Sequence, residues 1–327
     1  MAMKSAFKPI TTVFAAALAL AVPATALAQD FPSKPITIVV NWPAGGGQDT
    51  AARLIADWAS KKAPVPIVVS NVTGAGGANG IRHVAEAEPD GYTIGIMGSS
   101  FIARGYLNEN ATPLSDIDPL VFFGPDPGAL EVRADAGIDN VDAYLKKLKE
   151  EPGSIANGND APGGSSYIVA ALIENTFDVQ MTKEPYQGYA PTVAAIMAGE
   201  VQSATLPVHQ LDEQHKAGDV KILAVASNER HFLAPDVPTF KELGYDFVAG
   251  DWRALFLPNG VDPERKVWLE KLFMETMDDP AFKEAAQKAG FTATPMSSAD
   301  TKAWIVSQDE AIYPILLDAG LVKVNKK

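Results

Sequence analysis

Four glycine-rich stretches each stand between an apolar, β-branched run and a helix-forming segment: Pro43-Ala44-Gly45-Gly46-Gly47-Gln48-Asp49, Gly74–Gly77, Gly163-Gly164-Ser165-Ser166 and Tyr186-Gln187-Gly188. The start of a helix offers unpaired backbone N–H groups and the positive end of its dipole, and glycine lets an anion approach that backbone closely. In α/β sheets, ligands collect beyond the carboxyl ends of the strands, where these loops fall. The chemistry that suits them is capture of a small anion by neutral donors, with Ser99, Ser100, Ser165, Ser166 and Gln48 adding hydroxyl and amide groups. A single loop of this kind is most often only a tight turn. Two in the first third of the chain and two in the middle third point instead to two domains, each lining one side of a cleft. Trp42 lines that cleft or packs beneath its loop. Ionised Asp49 repels a carboxylate and reads as the cap of the helix that follows.

Other chemistries fail on particular residues. Gly74-Ala75-Gly76-Gly77-Ala78-Asn79 has Asn where a dinucleotide fingerprint requires its third Gly, and no loop carries the Gly-Lys-Ser/Thr of a phosphate-binding loop. Gly163–Tyr167 and Gly98–Ile102 lack the second Gly of a nucleophile elbow. His83, His209, His215 and His231 show no zinc-ligand spacing and read as surface or packing residues. With no cysteine in the chain, disulfides, thiolate catalysis and cysteine-bound metals are excluded. Neither a metal, nor a cofactor, nor enzymatic activity is expected.

The N-terminus sets the compartment. Lys4 and Lys8 precede an apolar run from Val13 to Val22 that closes in small residues, Ala24 to Ala28. That is the pattern of a secretory signal peptide, residues 1–28, cut after Ala28, and it is shorter than the roughly 20 residues a membrane span needs. Its removal deletes two lysines and no acid, so the net charge moves from −13 to −15. So acidic a protein is poorly suited to nucleic acid or an anionic membrane, while a small anion in a pocket is screened from surface charge beyond about 8–10 Å.

Stepping along the exported chain, strands alternate with amphipathic helices, the signature of βα units. Strands are expected at Ile36–Val40, Ile67–Val69, Thr93–Met97, Ser154–Asn157, Thr182–Pro185, Val201–Leu206 and Val220–Ala226. Helices are expected from Thr50 to about Lys61, over a segment carrying Ile81, Val84 and Ala85, at Val141–Glu150 behind an Asp139 cap, from Ser165 to Phe177, after Gly188 up to Gly199, and at Leu211–Lys216. The last third reads as helices at Glu264–Met277 behind Asp262-Pro263, at Pro280–Ala289 and at Ala299–Ala319, the last kinked near Pro314. Without a low-complexity linker, crossing strands or extended segments must join the two domains.

The run from Phe31-Pro32-Ser33-Lys34-Pro35-Ile36 through Pro43-Ala44-Gly45-Gly46-Gly47-Gln48-Asp49 to Arg53 resembles the opening of the substrate-binding proteins of tripartite tricarboxylate transporters, the Bug family. Asn71 with Gly74–Gly77, Pro89-Asp90-Gly91-Tyr92-Thr93, Pro185-Tyr186-Gln187-Gly188, Gly199-Glu200-Val201, Leu223-Ala224-Val225 and Pro235-Asp236-Val237-Pro238-Thr239 follow in the family's order. The resemblance implies a type II periplasmic-binding-protein fold, with residues 29–128 and 235–327 in one α/β lobe and 129–234 in the other. It implies a periplasmic monomer that holds a small carboxylate, such as a di- or tricarboxylate, in the cleft. The loops Trp42-Pro43-Ala44-Gly45-Gly46 to Asp49 and Gly163–Ser166, with Tyr186–Gly188 and the strand end at Thr205, would hold it, for a large and a small integral membrane subunit driven by an ion gradient. A sensor for a membrane regulator, or an exported hydrolase, are the alternatives. The sequence departs from the family at Asn41-Trp42 and at Gln202–Pro207, where acidic residues common in the family are missing, and both departures bear on ligand identity.

Overall fold

The computed structural model describes residues 31–318 and 320–324, which fall in one unit; the expected signal peptide and its cleavage site lie outside the described residues. The chain builds two five-stranded sheets, one per lobe. The first contains β1 (Ile36–Val40), β2 (Ile67–Asn71), β3 (Thr93–Met97), β4 (Ile117–Pro127) and the late strand β10 (Gly250–Pro258), in the order β2-β1-β3-β10-β4. β1 runs parallel to β2 and β3, whereas β10 is antiparallel to β3 and β4. The second contains β5 (Ala129–Arg133), β6 (Ala156–Asp160), β7 (Thr182–Tyr186), β8 (Ser203–Ala204) and β9 (Val220–Val225), in the order β7-β6-β8-β5-β9.

Both faces of the first sheet are covered around β1 and β3, so those strands are apolar at nearly every position. In β1, Ile36, Ile38 and Val40 point into a core with α1 (Gly47–Ser60), α8 (Pro263–Met277) and α9 (Pro280–Lys288), while Val39 points the other way. That opposite core is shared with α2 (Ala78–Ala85), α3 (Ser99–Leu107) and α10 (Ser298–Asp318). The strand period of two thus places alternate side chains in two different cores. In the second lobe, α4 (Val141–Glu150) contributes Val141, Tyr144, Leu145 and Leu148, and α5 (Ser165–Phe177) contributes Val169, Ala170 and Ile173, to one core. On the other side α6 (Tyr189–Ala198) packs Ala195 and Ile196 against Val201, Leu206, Leu211 and Val220, next to α7 (Asp212–Ala217).

Two crossings join the lobes. β4 leaves the first sheet at Pro127 and the chain enters the second as β5 after Gly128; it returns as β10 at Gly250. The expected return at Pro235 falls earlier than this, because Phe240 and Phe247 still pack in the core of the second lobe. At Gly250 the backbone is pressed against the other crossing: a Cβ there would lie 2.6 Å from Asp126 O and 2.7 Å from Gly128 N and Pro127 Cα. All three are main-chain atoms, which cannot swing aside. Gly250→Ala is therefore expected to cost about 1–3 kcal/mol, the usual range for forced overpacking, read as a fall in the urea midpoint at constant m-value. A midpoint equal to the parent's would show that the crossing has slack.

Candidate functional site

Three of the four glycine-rich loops converge on one cleft. Its lining comprises Trp42, Pro43, Ala44, Gly46, Gly47 and Gln48 from the β1–α1 junction, Asp160 and Ser165 from the β6–α5 junction, Gln187 to Pro191 from the β7–α6 junction, and Asp251 from β10. Each junction is a strand end followed by a helix start, so the N-termini of α1, α5 and α6 face one space. Each N-cap residue is a glycine, with no side chain to cap the helix: Gly46, Gly164 and Gly188. At α5 the Tyr167 N–H is taken by Asp160 Oδ1 at 3.0 Å; the first-turn donors not taken in this way, beside a positive helix end, are available to a ligand.

The first loop is set by Asp49. Its carboxylate accepts from Gly45 N at 2.9 Å, from Arg53 Nε and Nη2 at 2.9 Å each, and from Asn71 Nδ2 at 2.9 Å, while Asn71 Nδ2 also donates to Trp42 O at 3.0 Å. Burial would raise its pKa, but the bonds from Arg53, Gly45 and Asn71 outweigh it and hold Asp49 below the ordinary carboxylate value. Asp49 thus reaches back to fold the loop from inside the first turn, and the N-cap itself is Gly46. Trp42 fulfils both of its readings, lining the cleft and packing against the first-lobe core. Gly45 adopts φ +84°, open only to glycine at low cost, and turns the chain into α1 without itself lining the cleft.

In the second lobe, Ser165 faces the cleft and hydrogen-bonds the Tyr189 hydroxyl. Ser166 turns inward instead, its Oγ accepting from Asp160 N at 2.8 Å. Thr205 lies behind it, donating to Ser166 O at 2.9 Å, and so supports the loop without lining the cleft. Gly163 and Gly164 shape the turn: a Cβ on Gly164 would fall 2.2–2.3 Å from the Asp160 carboxylate. Gly188 lines the cleft with φ +106°, whereas the Tyr186 hydroxyl points to Glu200 at 3.5 Å. Ser99 donates from N and Oγ to Asp251 Oδ1, at 2.8 and 2.9 Å, and with Ser100 sits in α3 outside the lining. The fourth loop, Gly74–Gly77, does not line the cleft; Arg104 holds it through Nη1 to Ala75 O at 3.2 Å, with its guanidinium over the Trp42 ring at 5.4 Å.

Asp160, Tyr189 and Asp251 are the lining residues that sequence reasoning missed. Asp160 ends β6, three residues beyond the expected strand Ser154–Asn157. Tyr189 Oη donates to Asp251 Oδ2 at 3.4 Å, so a line of hydrogen bonds runs from Ser165 through Tyr189 to Asp251 and Ser99, crossing from one lobe to the other. Burial raises the Asp160 pKa to about 6, and the nearby Asp251 charge adds to the rise. Burial, then Asp251 and Asp160, push the Tyr189 phenol well above its usual value. Below the cleft floor, a Cβ on Gly47 would lie 2.7 Å from Arg253 Nη2, and that guanidinium is paired with Asp126 at 2.7 Å.

Comparison with known proteins places this geometry. Residues 51–321 match the family model described as "Tripartite tricarboxylate transporter family receptor". Protein BugT of Bordetella pertussis is 29% identical over 313 residues, spanning 94% of this chain and 95% of that protein. A UPF0065 protein from Cupriavidus necator is 30% identical over 316 residues, spanning 95% of each chain. Among solved structures, the periplasmic binding protein BugD superposes with a TM-score of 0.81 at 27% identity, covering 89% of this chain and 99% of its own. MatC from Rhodopseudomonas palustris, solved with bound malate, shares the fold with a TM-score of 0.76 at 24% identity, covering 86% of this chain and 100% of its own. The two-lobed α/β architecture and the glycine-rich helix starts have the same explanation: this chain belongs to the tripartite tricarboxylate transporter receptor family, a family of periplasmic solute-binding proteins.

Proposed function

We propose that this chain captures a small organic acid between its lobes and presents it to integral membrane subunits of a tripartite tricarboxylate-type transporter. The observation that carries the reading is the convergence of three glycine-started helix N-termini on one cleft drawn from both lobes. In this reading a carboxylate takes hydrogen bonds from the backbone at Gly47 and Gln48, from the Ser165 hydroxyl, which turns to it from Tyr189, and from the backbone near Gly188. Hydrogen bonds to a charged acceptor contribute about 1.5–3 kcal/mol each, so a handful sustains micromolar affinity with no arginine in the lining. Because the donors lie on two lobes, the ligand itself drives closure, and the closed form is what the membrane subunits recognise.

A thermal-shift screen of residues 29–327 against mono-, di- and tricarboxylates, followed by calorimetry, tests this. A ligand at a hundredfold excess over its Kd stabilises the protein by about 2.7 kcal/mol. Ser165→Ala removes a donor to the charged group and is expected to weaken the best hit by about tenfold or more. A panel with no stabilising acid would overturn the reading.

A further inference from the structure

The lining holds two carboxylates, Asp160 and Asp251, and neither lysine nor arginine. For a cleft that receives an organic acid this is an electrostatic conflict, and no cation of the lining relieves it. Arg253, whose charge also reaches Asp251, is paired with Asp126, and Arg104 acts on Asp160 from outside the lining without forming an ion pair with it among the described residues. The lining acceptors are also short of donors. Asp251 Oδ1 is well served by Ser99, but among the described residues Oδ2 has only the long 3.4 Å contact from Tyr189. Asp160 Oδ1 takes the Tyr167 N–H at 3.0 Å. An independent observation points the same way: Gln48 lines the cleft, is only 5% exposed, and its Oε1 has no hydrogen-bond partner among the described residues. A buried carbonyl left without a donor is destabilising, and a ligand that supplies a donor recovers that loss.

A primary ammonium answers all of these at once, since it carries a positive charge and three donors. We propose that the ligand is an amino-substituted carboxylic acid, its carboxylate held at the helix N-termini and its ammonium received by Asp160, Asp251 and the Gln48 carbonyl. This rests on the reading of the cleft as an organic-acid site and names the substrate class within it. Half of the recognition then comes from acceptors on both lobes, Asp251 and Gln48 from the first and Asp160 from the second, so the ammonium draws the lobes together as the carboxylate does.

The test is calorimetry on matched pairs that differ only at the amino position: aspartate against succinate and malate, glutamate against glutarate, alanine against propionate and lactate. In at least one set the amino acid is expected to bind tenfold or more tightly than its partners. Asp251→Asn and Asp160→Asn should each cut that preference at least tenfold and strengthen the deaminated acid, and Gln48→Met should weaken the amino acid. Thermal melts of each variant separate loss of recognition from loss of fold, and the three variants sit on different elements. Deaminated acids binding as tightly as amino acids across the panel would overturn the inference and leave organic-acid capture standing. Binding of neither class would overturn both.

Discussion

Asp126→Asn is expected to cost about 3–5 kcal/mol of folding stability, the usual penalty for stripping a buried ion of its partner. Arg253 is 1% exposed and its Nη2 lies 2.7 Å from Asp126 Oδ2. His209 Nδ1 approaches Asp126 Oδ1 at 3.1 Å, and the guanidinium sits 4.8 Å from the Phe291 ring centre. Asparagine keeps the shape and removes the charge, so the loss reports electrostatics and not a cavity. Burial by itself would raise the Asp126 pKa, but Arg253 and then His209 outweigh it and hold the carboxyl well below the usual range. A depressed folded pKa means stabilisation that is present above the ordinary carboxylate value of 3.8 and is lost as pH falls below it. Urea melts at pH 7 and at pH 3 should therefore show a large gap between parent and variant at the first and a smaller gap at the second. Folded domains hold only about 5–15 kcal/mol in total, so this pair decides much of the molecule's margin. A loss under about 1 kcal/mol at pH 7 would mean that solvent or another group takes over the arginine.

The same pair explains a limit of the sequence. The strands that position the first loop, β1 and β3, are legible because runs such as Ile36–Val40 are apolar and β-branched, as strands buried on both faces must be. The crossings are not. β4 contains Pro119, Pro125 and Pro127, and β10 carries Asp251 and Arg253, and in a single sequence proline and charge both argue against a strand. The prolines are tolerated through irregular pairing, with register shifts along β10. The charges are tolerated because Asp126 and Ser99 meet them. These partners are distant in sequence, and only the fold brings them together. α3 was equally hidden, since Gly98-Ser99-Ser100 reads as the end of a strand while Phe101 to Tyr106 packs as helix in the first-lobe core.

Of the candidate site, the helix starts were readable and the lining within each loop was not. Glycine and serine announce where backbone donors are free, but whether Ser165 or Ser166 faces the cleft depends on the Asp160 N–H that claims Ser166. Tyr186 and Tyr189 invert for a similar reason. Tyr186 ends a strand with its hydroxyl toward Glu200, whereas Tyr189, the first residue of α6, lines the cleft.

Asp160→Asn is expected to raise stability above pH 6 by on the order of 3 kcal/mol and to change it little at pH 4. The carboxyl is 2% exposed at the end of β6, and burial, with a further push from the Asp251 charge, raises its pKa from 3.8 to about 6. At about 1.4 kcal/mol for each tenfold change in the proton equilibrium, that rise sets the magnitude. The sign follows from linkage: below pH 3.8 both folded and unfolded states hold the proton, and between 3.8 and 6 the unfolded chain releases it while the folded one retains it, so parent stability declines across that window and levels off above. Asparagine can still accept from the Tyr167 N–H and carries no charge to bury. The groups facing this carboxyl are Asp251 from β10, Arg104 from α3 and Tyr189 from α6; Tyr189 stays neutral in this range. In the proposed complex the ligand's ammonium is the charge that offsets this cost. Amino-acid affinity in the parent should then rise with pH through 6, as the ammonium favours ionised Asp160, while succinate affinity falls over the same interval; parallel titrations at pH 5 and pH 7 that moved together would separate Asp160 from the ligand altogether.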